Sequence, residues 1–174
     1  MKPVPWWRRA SSFQHVVRTT VGALISLAAS RLLTMPEAYW APITTLIVMQ
    51  TDVEATLAIS ARRLIGTALG AASGALLFQY FGPNIAAFGA GVFLTGVTCV
   101  VLEHAHSKLS GYVDRTAYRY GGITLAVVLL IPHSAGIWKI AMDRFIEVSL
   151  GIVVALVLAK VWPGAAESAV ATGD

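Results

Sequence analysis

Six apolar stretches, separated by turn-rich breaks, fill residues 16–162. Four of them, 16–33, 59–80, 85–102 and 141–162, hold about 18 to 22 residues each, enough for a helix to cross a ~30 Å hydrocarbon layer. The other two, 40–51 and 118–131, hold about 12 to 14, a length that alone suggests a buried helix or a re-entrant segment. A repeat argues that they are further spans. The third and sixth stretches carry one pattern, Arg63-x-x-Gly66-x-x-x-Gly70 and Arg144-x-x-Glu147-x-x-x-Gly151, offset by 81 positions. The same offset carries Tyr39 onto Tyr120, so the short runs occupy matching places in the two halves and read as second and fifth spans extended by polar turns. An odd number of spans separates the copies, so in a membrane they run in opposite directions. The pattern predicts an all-α integral membrane protein whose six transmembrane helices form two inverted three-helix repeats, an architecture found in many transporters.

Composition agrees. Of 174 residues, 56% are hydrophobic and 13% charged, against about 25% charged in a soluble domain, and the mean hydropathy is +0.70. With the N-terminus inside, the inner segments hold Lys2, Arg8, Arg9, Arg18, Arg62, Arg63, Lys108, Arg115, Arg119 and Lys160, and the outer ones Arg31, Lys139 and Arg144. That asymmetry satisfies the positive-inside rule and predicts a multi-pass membrane protein with both termini cytoplasmic. The formal charge of +4 then reflects topology and not nucleic-acid binding. The organisation expected is a basic and aromatic cytoplasmic segment (1–15), a six-span membrane domain (16–163) and a disordered cytoplasmic tail (164–174). No cleaved signal peptide is expected, because the first apolar run is longer than an h-region and continues into Arg31.

Chemistry is sparse. Cys99 is the single cysteine and lies inside the fourth span, which excludes a disulfide framework. There is no P-loop, Rossmann glycine pattern or Gly-x-Ser-x-Gly, and the loops leave no room for an ATPase. No catalytic residue and no cofactor is expected. Glu103, His104 and His106 share one membrane face, but topology puts His133 on the other, so no metal site is expected either.

The arginines are more informative. Arg63 shares a helix face with Gly66, Thr67 and Gly70, so it should point into the bundle, where it needs an anion, a carboxylate or water. Inversion puts Arg63 near the cytoplasmic mouth and Arg144 near the outer one, each at a helix N-terminus whose dipole favours negative charge. Each has a structural alternative. Arg144 can pair with Asp143 or Glu147, and Arg62 and Arg63 can snorkel to headgroups as anchors; Arg18 reads as such an anchor. Gly66, Gly70 and Gly74, with Gly151 in the second copy, read as helix-packing positions.

The short spans bring further polar groups: Tyr39, Trp40, Pro42, Thr44, Thr45 and Gln50 in or beside one, and Tyr118, Arg119, Tyr120, Gly121, Gly122 and Thr124 in the other. Short, Gly- or Pro-interrupted segments at matching places point to a binding site. Tyr39 and Trp40 can instead be interfacial aromatics, and the threonines can back-bond within their helices.

The strings YWAPITTLIVMQ, RRLIGTALGAASGALL, AYRYGGITLAVVLLIP and DRFIEVSLGIVVALVLAKVWP resemble the membrane half of the fusaric acid resistance and aromatic acid exporter family, distantly similar to plant aluminium-activated malate channels. Arg63, Gly66, Thr67 and Gly70 fall on the family's third-span motif, and Arg144 and Gly151 on the sixth-span one. The resemblance implies six-helix units that handle organic anions, commonly aromatic carboxylates, and that work in pairs. The larger exporters carry a second membrane unit and a cytoplasmic domain, so a lone unit implies a homodimer in the bilayer. The reading is an organic-anion transporter or channel with Arg63, Arg144, Thr67, Tyr39, Trp40, Thr44, Thr45, Arg119, Tyr120 and Thr124 as the anion-binding set. The alternative is a non-transporting membrane scaffold or an accessory subunit of a transport complex. A membrane-embedded enzyme ranks third.

Overall fold

A computed structural model describes residues 6–105, 116–132 and 135–162. Among these residues six helices follow in order: α1 (Trp6–Leu32), α2 (Trp40–Val48), α3 (Val53–Phe81), α4 (Ile85–Ala105), α5 (Ala117–Leu130) and α6 (Ile137–Val161). No strand occurs among the described residues.

Local chemistry sets the boundaries. Thr34, at φ 51°, turns the chain out of α1, and the Ser30 hydroxyl donates to the Ala38 carbonyl at 2.8 Å. That bond ties the following turn back to α1, so residues 33–39 stay non-helical and α2 is only nine residues long. The Asp52 carboxylate accepts from the Ala55 N–H at 2.7 Å and starts α3, a capping role that satisfies one of the open donors of the first turn. Gly82 takes φ +64° between α3 and α4, and Asn84 caps α4 through the Ala86 N–H at 2.8 Å. α5 stops where Ile131 turns extended, as a residue preceding proline must.

Lengths partly follow the apolar pattern. α3 and α4 are long and apolar enough to cross a membrane, and α5 is a shorter apolar helix. α1 and α6 are long but carry interior charges, including Arg18, Arg144 and Glu147, that lower their hydropathy. At 1.5 Å per residue α2 spans about 14 Å and α5 about 21 Å. The polar turns expected to lengthen α2 do not join its helix.

The chain divides into two compact units. One holds the residues up to Leu57 and from Ser149 onward; the other is Ala58–Val148. In the first, α1 and the C-terminal half of α6 pack on α2. A methyl group on Gly22 would meet Leu158, Met49 and Thr45 at 3.0 to 3.1 Å, and one on Gly151 would collide with the Ala41 carbonyl oxygen. In the second, α5 lies against α3 and α4. Methyl groups on Gly66 and Gly70 would collide with the carbonyl oxygens of Ala117 and Gly121, and one on Gly74 would press on Val128 at 3.1 Å. Apolar clusters fill the rest of this unit: Ala71, Ala75 and Val128 with Ile137, Ile140 and Ala141, Leu125 and Leu129 with Ala87, and Cys99 with Ala117. Glycine therefore does one job in both units, allowing a long helix to touch the backbone of a short one.

Candidate functional site

α3 carries a buried polar stripe. Ser60, Arg63 and Thr67 are spaced three and four residues apart, hence on one helix face, and are 2%, 3% and 1% exposed. The Arg63 guanidinium sits over the Tyr120 ring, 5.1 Å from its centre, so two residues named from opposite halves of the sequence meet. A cation over an aromatic face is attracted by the ring quadrupole, more strongly where water is excluded. Gly66, one turn on, admits the α5 backbone beside this pair. The Ser60 hydroxyl is buried, and no hydrogen-bond partner for it occurs among the described residues. Sequence reasoning passed over Ser60, although its spacing from Arg63 was visible.

The helix-terminus expectation fails. Arg63 and Arg144 were placed at helix N-termini, but α3 begins at Val53 and α6 at Ile137, because the Asp52 cap and the Gly136 turn start these helices early. The helix dipole falls off within the first turn. It contributes nothing to an anion at either arginine.

Arg144 pairs with Glu147 at 3.2 Å in the interior of α6, the two side chains being 4% and 1% exposed. Thr124 donates to the Tyr120 carbonyl within its own helix at 3.1 Å. Arg119 is exposed, in a groove lined by Gly96, Cys99, Val100, Thr116 and Tyr118, so it does not join the Arg63 stripe. In the other unit, Thr44 and Thr45 are fully buried. The Thr45 hydroxyl reaches the Ala41 carbonyl at 3.1 Å and the Gly151 carbonyl at 3.0 Å, beside the Gly151 contact. Tyr39 and Trp40 both donate to the Glu37 carboxylate, the indole at 3.1 Å. These two donors thus already hold a carboxylate supplied by the chain.

Arg18 is not a surface anchor. It is 1% exposed and donates to the carbonyls of Gln50, Thr51 (3.2 Å) and Trp162 (2.7 Å). One guanidinium thereby satisfies carbonyls just past the ends of α2 and α6, where a cation also complements the helix dipole. His15, one turn earlier and just ahead of the first apolar run, is held below the ordinary imidazole value by burial and then by the Arg18 charge.

Among the described residues no group of three metal-ligating side chains forms; His106 and His133, weighed as ligands from sequence, lie outside the described residues, as do residues 1–5 and the tail from 163.

Comparison with known proteins extends these observations. A family model described as "Fusaric acid resistance protein-like" matches residues 22–158. The uncharacterized transporter YdhK of Escherichia coli strain K12 is 24% identical over 175 residues, covering 97% of this chain, and its counterpart in E. coli O157:H7 matches equally. The chain spans about a quarter of the length of these curated relatives. No solved structure matches.

Proposed function

The chain belongs to the fusaric acid resistance protein-like family, and from that premise we propose that it moves organic anions, aromatic carboxylates among them, across the bacterial inner membrane. The family and the transporter relative support a membrane transport role. The observation that carries the anion is the buried stripe of Ser60, Arg63 and Thr67 with Tyr120 under the guanidinium. A buried arginine offers planar, bidentate donors matched to a carboxylate, the Ser60 hydroxyl can add a third donor, and the Tyr120 ring gives an aromatic acid an apolar face.

The rest of the reading follows the sequence pattern. The two halves run as inverted repeats, Arg63 toward the cytoplasmic mouth and Arg144 toward the outer one, both termini are cytoplasmic, and two copies pair in the bilayer. The repeated contact of a long-helix glycine with a short helix, Gly70 on Gly121 and Gly151 on Ala41, supports the repeat, since Gly70 and Gly151 are 81 positions apart. The relatives' greater length favours one other reading, an accessory or partial unit that works only with further segments.

Anion flux in proteoliposomes tests the Arg63 site. Arg63→Ala should reduce carboxylate flux at least tenfold, a loss of about 1.4 kcal/mol or more, at normal protein level, while Arg63→Lys should keep the charge but lose the fork geometry and retain partial flux. If Arg63→Ala transports at the wild-type rate, Arg63 is not in the path.

A further inference from the structure

Glu147 is a carboxylate buried in an apolar helix, and Arg144, three residues before it, provides its counter-charge. Asp143, one turn before it, adds a like charge. Asp143 is itself tied to Lys139 at 3.4 Å, at the more exposed end of α6. The elements packed on this half of α6 bring uncharged groups to the contact. α3 presents Ala71 and Ala75, and the Trp138 indole donates to Gln79; α5 presents Val128. The charged side chains of these elements within the unit are Arg62, Arg63 and Arg119, of which Arg63 is held over Tyr120 and Arg119 is exposed.

An incoming anion therefore meets an arginine already closed on a carboxylate. If the anion's carboxylate displaced Glu147 and nothing else changed, the site would hold one guanidinium against two carboxylates, a net buried negative charge that a low-dielectric interior penalises heavily. A proton removes the penalty. We propose that Glu147 is a proton site coupled to anion binding at Arg144, so that a monocarboxylate occupies the guanidinium only as Glu147 takes up one proton. The Arg144–Glu147 ion pair opens, the guanidinium closes on the anion, and a proton given up by hydronium or the buffer's acid form adds to the Glu147 carboxylate as an O–H bond. Net buried charge is zero before the exchange and zero after it. A dicarboxylate would need a second cation or a second proton, so the site favours singly charged acids. This assignment rests on Arg144 belonging to the anion path, and it adds the coupling ion to that path.

The test is calorimetric titration of the full chain in lipid nanodiscs with benzoate, between about pH 5.5 and about pH 8, in buffers of different ionisation enthalpy. At the alkaline end of that range the wild type should take up about one proton per benzoate and lose about tenfold in affinity per pH unit. Glu147→Gln should bind benzoate across the range without proton uptake and with a flat pH profile. The wild-type proton count needs no variant, so it decides the matter even if Glu147→Gln misfolds. Binding by the wild type without proton uptake at about pH 8, or uptake there that survives in Glu147→Gln, overturns the coupling and leaves the anion site standing. Benzoate binding by neither protein at any pH removes the anion site, and the coupling with it.

Discussion

Arg18 brings three carbonyl oxygens to one buried cation. Hydrogen bonds to a charged donor contribute about 1.5 to 3 kcal/mol each, and the carbonyls left behind would be buried without that donor. Arg18→Met should therefore destabilise the protein by about 3 kcal/mol or more, read as a lowered denaturation midpoint in detergent. An unchanged midpoint would mean that water replaces the guanidinium at no cost. This role was illegible in the sequence. The acceptors lie 32, 33 and 144 positions away and are backbone atoms, which leave no trace in residue identity. The Arg63 face was legible because helical spacing alone groups it with Thr67 and Gly70, and the same spacing extends to Ser60. Which ring would lie beneath the guanidinium was not legible, since Tyr120 is carried there by packing of α5 on α3.

Helix contacts rest on a few close approaches. Gly70→Leu or Gly151→Leu must push a short helix away from its partner's backbone, so each should lose several kcal/mol or fail to assemble. Gly89 is the control, because nothing lies within 4 Å of a methyl group placed there. Gly89→Ala should be neutral or gain about 0.5 to 1 kcal/mol from helix propensity. Equal tolerance at Gly70 and Gly89, measured as folded yield and thermal midpoint, would contradict the packing described. The four-residue glycine spacing and the 81-position offset marked Gly66, Gly70, Gly74 and Gly151 from sequence. The length of α2 was less legible, because the Ser30 tie that keeps residues 33–39 out of the helix depends on the tertiary turn.

Polarity is distributed inside out for a water-soluble protein. Arg18, Arg63, Arg144 and Glu147 are buried, while Phe81, Ile85 and Phe93 are 66%, 85% and 70% exposed. A lipid surround accounts for both halves of that pattern, since apolar side chains need no cover there and charges must turn inward. Topology then becomes a direct prediction from the arginine and lysine asymmetry. A reporter inserted at Gly82, in the turn between α3 and α4, should read external, and one at Leu109, which lies outside the described residues, should read cytoplasmic. A cytoplasmic signal at Gly82 would overturn the span assignment and the inverted repeat.

The central proposal is that copies of this chain pass organic anions with no other protein present. Purified protein, reconstituted alone in liposomes, should carry benzoate across the bilayer at a rate well above that of protein-free vesicles, with flux that saturates as benzoate rises. Correctly inserted protein that gives no flux above the vesicle background, and gains it only when further subunits are added, would contradict the claim and assign the chain to the accessory role.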